Sequence, residues 1–327
     1  MLVAALQHQL QQQRLIKHAV VAATGAWRQY LDPQALQPSF TSRVAPTLLA
    51  AVLTAQQRAA SAADGYVDQV LTEQGLDTDR TGSIAASTFT SSASDGRELS
   101  TLLLEPLIRV KLRLAESQPL ADALDSGLVA LQRLVGTQVA DAGRVADGVA
   151  LVARPAVDGY VRMLSLPSCA RCVVLAGHFY RWNAGFQRHP HCDCRHIPAR
   201  EADSQDLRTN PRAAILAGQV RGLSSADAQA IRDGADVSQV INAHRGMYTA
   251  SAYGQNVKAT TEGTTVRAVA GARLAAAGEA LDKQQGKTYR TYRTIRIPRL
   301  RPEAIYARAG DDRTKALELL KRFGYLT

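Results

Sequence analysis

The sequence predicts a mainly α protein, with long N-terminal helices, a small Cys/His-stapled β-hairpin module and a C-terminal helical region with a few short strands. Three observations predict it. Apolar residues recur at helical spacing through the first 165 positions. The apolar content is chiefly Ala, Leu and Val, with aromatics at only 5%, which gives a thin core that helices approach closely. All four cysteines fall within 169–194. The expected organisation is an elongated helical region over 1–165, a Cys/His module over 166–200, and a mixed, mostly helical region with a basic tail over 201–327.

Leu2, Leu6, Leu10, Leu15 and Ala19 keep helical spacing, and the pattern runs through Trp27 to Leu31 before Asp32-Pro33 stops it. A second helix follows Pro46, with Leu49, Val52, Leu53, Gln56 and Ala60 on one side, and extends through Tyr66 and Val70 towards Gly75. Residues 77–96, rich in Thr, Ser and Ala, read as a loop. Helical periodicity resumes over 102–114 and 120–139. A last long helix is expected from Val145 through Val149, Val152, Val157, Tyr160 and Val161 to Leu164. The arrangement suggests packed helical hairpins.

Beyond 200 the elements shorten. Asp203 to Arg245 reads as several short helices, with Ser224 a helix start and Gly234 a stop. Thr264 to Val269 and Tyr289 to Ile297 have the β-branched and aromatic content of short strands. Helix returns from Pro302, with Asp311 as an N-cap and Gly324 closing the last turn.

Charge and hydropathy narrow the function classes. No apolar run approaches a membrane span, and the first residues break into Gln and His before a signal-peptide core develops. The expectation is a chain kept in a cytoplasm or packaged into something assembled there, without a membrane partner. The formal charge of +10 is concentrated in 166–200 and in 281–327, where twelve Lys/Arg meet five Asp/Glu. Such a surplus fits an anionic partner or simply a solvated surface.

The chemistry is concentrated in one segment. Cys169-x2-Cys172 is followed, after nineteen residues, by Cys192-x-Cys194, with His178, His189, His191 and His196 interspersed. A C-x2-C pair on a tight turn aims both sulfurs at one point and presents half of a tetrahedral zinc site. Cys192 and Cys194 complete a four-thiolate set, or one of His189, His191 and His196 replaces a thiol. Arginines 171, 181, 188, 195 and 200 would offset the charge of a thiolate-bound zinc. Unmetallated buried thiols and disulfides compete with the structural zinc reading. Phe179, Tyr180, Trp182 and Phe186 form either a miniature core or a base-stacking platform, and Tyr180-Arg181-Trp182 is a candidate strand. In the tail, Lys283, Lys287, Arg290, Arg293, Arg296, Arg299 and Arg301 are the candidate nucleic-acid contacts. A spacing of three alternates faces on a strand, so the arginines make no single stripe.

At these residues the chain resembles a known family. Cys169-Ala-Arg-Cys172, an apolar stretch to Gly177 and Tyr180, then His189-Pro190-His-Cys192-Asp-Cys194, is similar to the core motif of phage minor head proteins related to protein F of phage Mu. The stretches from Ala230 to Asp236, Val240 to Met247 and Arg322 to Tyr325 resemble the version found in phages of actinobacteria. The resemblance implies a minor capsid protein of head morphogenesis, located in the virion at the capsid interior or portal vertex after assembly in the host cytoplasm. It implies the portal protein and the major capsid or scaffolding protein as partners, with possible contact to packaged DNA. The matched positions are Cys169, Cys172, His189, Cys192 and Cys194; His191 and His196 lie outside the match. A capsid maturation protease is the enzymatic alternative, and a zinc-stapled DNA-binding protein is another. The sequence contains no G-x-S-x-G elbow, P-loop or H-E-x-x-H, and no catalytic residue is assigned. His8, His18 and His244 read as isolated packing or solvated residues.

Overall fold

The protein is described by a computed structural model covering residues 2–184, 194–285 and 291–326. It is mainly α, and it divides into two compact units. One consists of 1–163 together with 178–208; the other consists of 164–177 together with 209–327. A boundary near 165 was expected, but 166–200 is not a module of its own. Its first part belongs to the second unit and the rest to the first.

The first unit opens with α1 (Val3–Tyr30), then α2 (Leu36–Ser39), which leads through a π-helical turn at Phe40–Val44 into α3 (Ala45–Ser61) and α4 (Ala63–Glu73). The predicted loop carries a 3₁₀ turn at Ala86–Phe89 and is otherwise irregular. Helices α5 (Leu99–Leu102), α6 (Glu105–Ala115) and α7 (Leu120–Val152) follow. Helix α7 is one 33-residue element, not two. It runs antiparallel to α1, because His8 meets Asp147, Gln12 lies by Gly143 and Trp27 lies by Gly127.

Helices lie where the apolar spacing places them, but several residues that set the spacing face solvent. Leu6 and Leu10 of α1, and Val145, Val149 and Val152 of α7, are exposed. The buried faces carry Ala4, Ala5, Ala146 and Ala150, with His8, Gln9, Gln12 and Asp147 among them. Small side chains let the backbones approach; His8 pairs with Asp147 across the interface, while Gln12 donates to the Ala59 carbonyl of α3 and Gln9 accepts from Arg195. At Gly127 an added Cβ would stand 2.4 Å from Val110 Cγ2 and 2.9 Å from Trp27, so only glycine fits there.

The expected helix from Val145 to Leu164 ends at Val152, shortly before Pro155. Val157, Tyr160, Val161 and Leu164 mimic helical spacing, yet Gly159–Met163 is strand β1, buried at every position. A strand covered on both faces loses the polar alternation that would identify it. The chain then forms β2 (Ser168–Cys169) and α8 (Ala170–Leu175) of the second unit, and returns as β3 (Phe179–Arg181) and β4 (Arg195–Ala199). The predicted strand at Tyr180-Arg181-Trp182 is therefore shifted back by one residue. Strand β1 lies between β3 and β4, antiparallel to both, so the two outer strands do not form a hairpin with each other.

The second unit continues with α9 (Pro211–Leu216), β5 (Val220–Arg221), α10 (Ser225–Arg232) and α11 (Val237–Asn242). Ser224 caps α10 through a full capping box with Asp227, as its position suggested. Strands β6 (Met247–Ala252) and β7 (Gln255–Thr260) form a hairpin with no clear alternation in its sequence. Its turn residues Tyr253 and Gly254 both have positive φ, the two-residue turn that matches strand twist. Next come α12 (Val269–Ala276), β8 (Leu281–Gln285), β9 (Thr291–Ile295), β10 (Arg299–Leu300), α13 (Pro302–Ala309) and α14 (Arg313–Arg322). The expected strand at 264–269 reduces to a bridge from Thr265 to Thr294, and Val269 begins a helix. The cap of α14 is Asp312, not Asp311; its carboxylate accepts from Lys315 N at 3.0 Å. Ile231, Leu274, Leu300, Ile305, Leu320, Phe323 and Tyr325 form the core. Among the described residues, no helix is long and apolar enough to cross a membrane.

Candidate functional site

The C-x2-C pair sits where a strand becomes a helix. Strand β2 pairs in parallel with β5 and ends at Cys169, which is the N-cap of α8. Its Sγ accepts a hydrogen bond from Cys172 N at 3.3 Å. Cys172, three residues on, is buried on the first turn of the helix. The tight turn expected from the spacing is present, and both thiols belong to the second unit.

Cys194 belongs to the first unit, immediately before β4. It is fully buried, and its Sγ accepts from Arg162 Nη2 at 2.9 Å while its carbonyl accepts from Arg144 Nε at 3.0 Å. A guanidinium donating to sulfur at that distance stabilises negative charge on it. These two arginines come from β1 and α7 and were missed in the sequence, since they lie 32 and 50 residues upstream. His196 follows on β4, buried, with its ring 4.0 Å from that of Tyr160 and its carbonyl accepting from the Tyr66 hydroxyl. His189, His191 and Cys192 lie outside the described residues, as do Phe186 and Arg188. Among the described residues, no three His, Cys, Asp or Glu side chains converge as a metal site.

The remaining arginines have individual tasks. Arg195 is buried, with Nε on Gln9 Oε1 at 3.0 Å, and burial followed by the neighbouring Arg144 pulls its pKa down to about 10. Arg181 pairs with Glu201 at 3.1 Å, and Arg200 donates to the Ala156 carbonyl. Arg171 is exposed on α8. Of the cluster's aromatics, Phe179 and Tyr180 pack against the first unit's core, whereas Trp182 is 55% exposed.

The basic tail divides sharply. Arg299 is fully buried; it donates to the carbonyls of Phe323 and Glu262 and to Gln239 Oε1, with its guanidinium 4.5 Å from the Tyr325 ring. Arg301 is also buried, 2.9 Å from Glu303. Neither is accessible to a nucleic acid, because both side chains are buried in the second unit. Lys283 and Arg293 are exposed and face one another across the β8–β9 pair, and Arg296 is exposed but bound to Asp282 at 2.6 Å. Lys287 and Arg290 lie outside the described residues.

Two histidines expected to be isolated are not. His8 is buried, 3.0 Å from Asp147 and stacked on Tyr66 at 3.9 Å. His244 Nε2 is 2.8 Å from Asp227 Oδ2, with Arg301 Nη2 at 3.1 Å from the same nitrogen. His18 is exposed, as expected. No family model, curated protein or solved structure matches the chain.

Proposed function

We propose that the chain is a phage minor capsid protein that acts with the portal in procapsid assembly, and that zinc staples its Cys/His segment. The observation that carries this reading is the ordered string from Cys169 to Cys194: C-x2-C, an apolar stretch closing on glycine and an aromatic, then H-P-x-C-x-C. The turn at Cys169 and Cys172 supports it, since a sulfur that accepts a backbone N–H at a helix start is held ready as a metal donor. Zinc bound there would supply folding energy, with Cys169 and Cys172 as two of its ligands. The portal protein and the major capsid or scaffolding protein are the proposed partners. Contact with packaged DNA would fall to Lys283 and Arg293 among the described tail residues.

Co-expression with portal, scaffolding and major capsid proteins tests the assembly role. The chain should remain in purified procapsids, at the portal vertex or inside the shell, and its exclusion from them would refute the role. Elemental analysis of protein purified under reducing conditions tests the staple. About one zinc per chain is expected. Absence of zinc, together with ready alkylation of all four thiols in the folded protein, would remove the metal from the proposal.

A further inference from the structure

The second unit has a concavity of about 300 Å³ where three stretches of chain meet. The parallel register of β2 and β5 sets Arg221 beside Cys169, and Arg171 follows on the first turn of α8. The turn after α11 brings up His244 and Arg245. Ala170, Gly222 and Ile241 make the apolar part of the lining, and Asn242 and Cys169, one of the proposed zinc ligands, complete it.

The charge around this hollow is one-sided. Arg171, Arg221, Arg245 and His244 line it, and no carboxylate does. Behind His244 lies the buried Asp227, whose charge is shared between His244 at 2.8 Å and Arg301 at 3.8 Å. Glu262 approaches Arg245 at 3.5 Å, and both are partly exposed, so that pair is weak. Arg221 donates to the Pro167 carbonyl, which orients the guanidinium without neutralising it. Arg171, Arg221 and Arg245 are all exposed, so none of them is kept there by packing.

We infer that this hollow binds a small organic phosphomonoester, with its phosphate among Arg171, Arg221 and Arg245 and its carbon body on Ala170, Gly222 and Ile241. Arginine forks match phosphate oxygens in pairs, and a hollow of this volume takes a small molecule. A continuous nucleic-acid backbone would need a basic stripe; here the arginines gather around one open hollow with an apolar floor. The site does not depend on the head-assembly role, and its ligand is recognised whether or not the chain enters a capsid.

Isothermal titration of the full-length protein with phenyl phosphate, and separately with inorganic phosphate, tests the inference. Saturable binding of phenyl phosphate is expected, at least tenfold tighter than that of inorganic phosphate. Arg171→Gln and Arg245→Gln should each weaken it by tenfold or more, with far-UV circular dichroism and thermal midpoint unchanged. No saturable binding at millimolar phenyl phosphate would overturn the assignment, as would affinities unaltered by both variants. Binding of a single-stranded oligonucleotide through the same arginines, without binding of phenyl phosphate, would also overturn it in favour of a nucleic-acid contact.

Discussion

At the scale of single residues, Asp227 shows how a buried carboxylate is tolerated. Burial alone would raise its pKa, but hydrogen bonds from His244 and Ser224 outweigh that and hold it below its ordinary 3.8. A carboxylate held down in the folded state stabilises the fold above its unfolded pKa, and that contribution is lost as pH falls through the folded value. The urea midpoint of Asp227→Asn should therefore lie below wild type by its full amount above about pH 5, and the gap should narrow as pH drops below about 4. Arg154 gives a second test. Its side chain is fully buried and bridges Asp64 at 3.0 Å and Asp68 at 2.7 Å. Arg154→Ala leaves both carboxylates without that partner and should cost about 3 kcal/mol in chemical unfolding. Neither residue could be identified from the sequence, because each acts on partners far along the chain. Ser224 and Asp227 were legible only as a helix start, since a capping box is local while the histidine behind it is not.

At the scale of elements, the sequence revealed where helices lie better than which way they face. The runs of Leu and Val in α1 and α7 set the helical period, yet Leu6, Leu10, Val145 and Val149 point to solvent. Where the start of α1 meets the end of α7, the core side is built largely from Ala, whose small area carries little hydrophobic signal, and from polar residues whose partners only the fold supplies; Trp27, Leu131, Val135 and Val139 fill it further along. Close approach matters at the small positions of this helix pair. Gly127→Val should cost about 1–3 kcal/mol and perturb Trp27 fluorescence, because the new side chain meets Val110 and Trp27. Gly148→Ala on the same helix meets nothing within 4 Å, and should stabilise by about 0.5–1 kcal/mol. Similar effects from both substitutions would refute the packing argument. Strand β1 escaped detection for a related reason: its five buried positions remove the alternation by which strands are recognised.

At the scale of the molecule, the two units carry separate cores, one containing Leu131 and the other Phe323. Calorimetry should resolve two transitions, with Leu131→Ala lowering one and Phe323→Ala lowering the other; a single transition shifted equally by both would contradict this. The first division falls after Met163, at the end of strand β1, in a stretch that the sequence pattern reads as helix. The sequence could not show that the cysteine-bearing segment is shared, with Cys169 and Cys172 on one side and Cys194 on the other. A cluster of one residue type reads as one module, whereas the division follows the pairing of β1 with β3 and β4 and of β2 with β5.

That pairing has a consequence for the order of events on the ribosome. The helices of the first unit emerge early, but the sheet that closes it waits for β4, which ends at Ala199. Residues 164–177, made before then, find their own partners only after Thr209 has been added. For that interval the nascent chain holds β2 and α8 without the strand and helices they pack on. The first unit is expected to mature before the second, and the segment carrying Cys169 and Cys172 to settle only once β5 has been made.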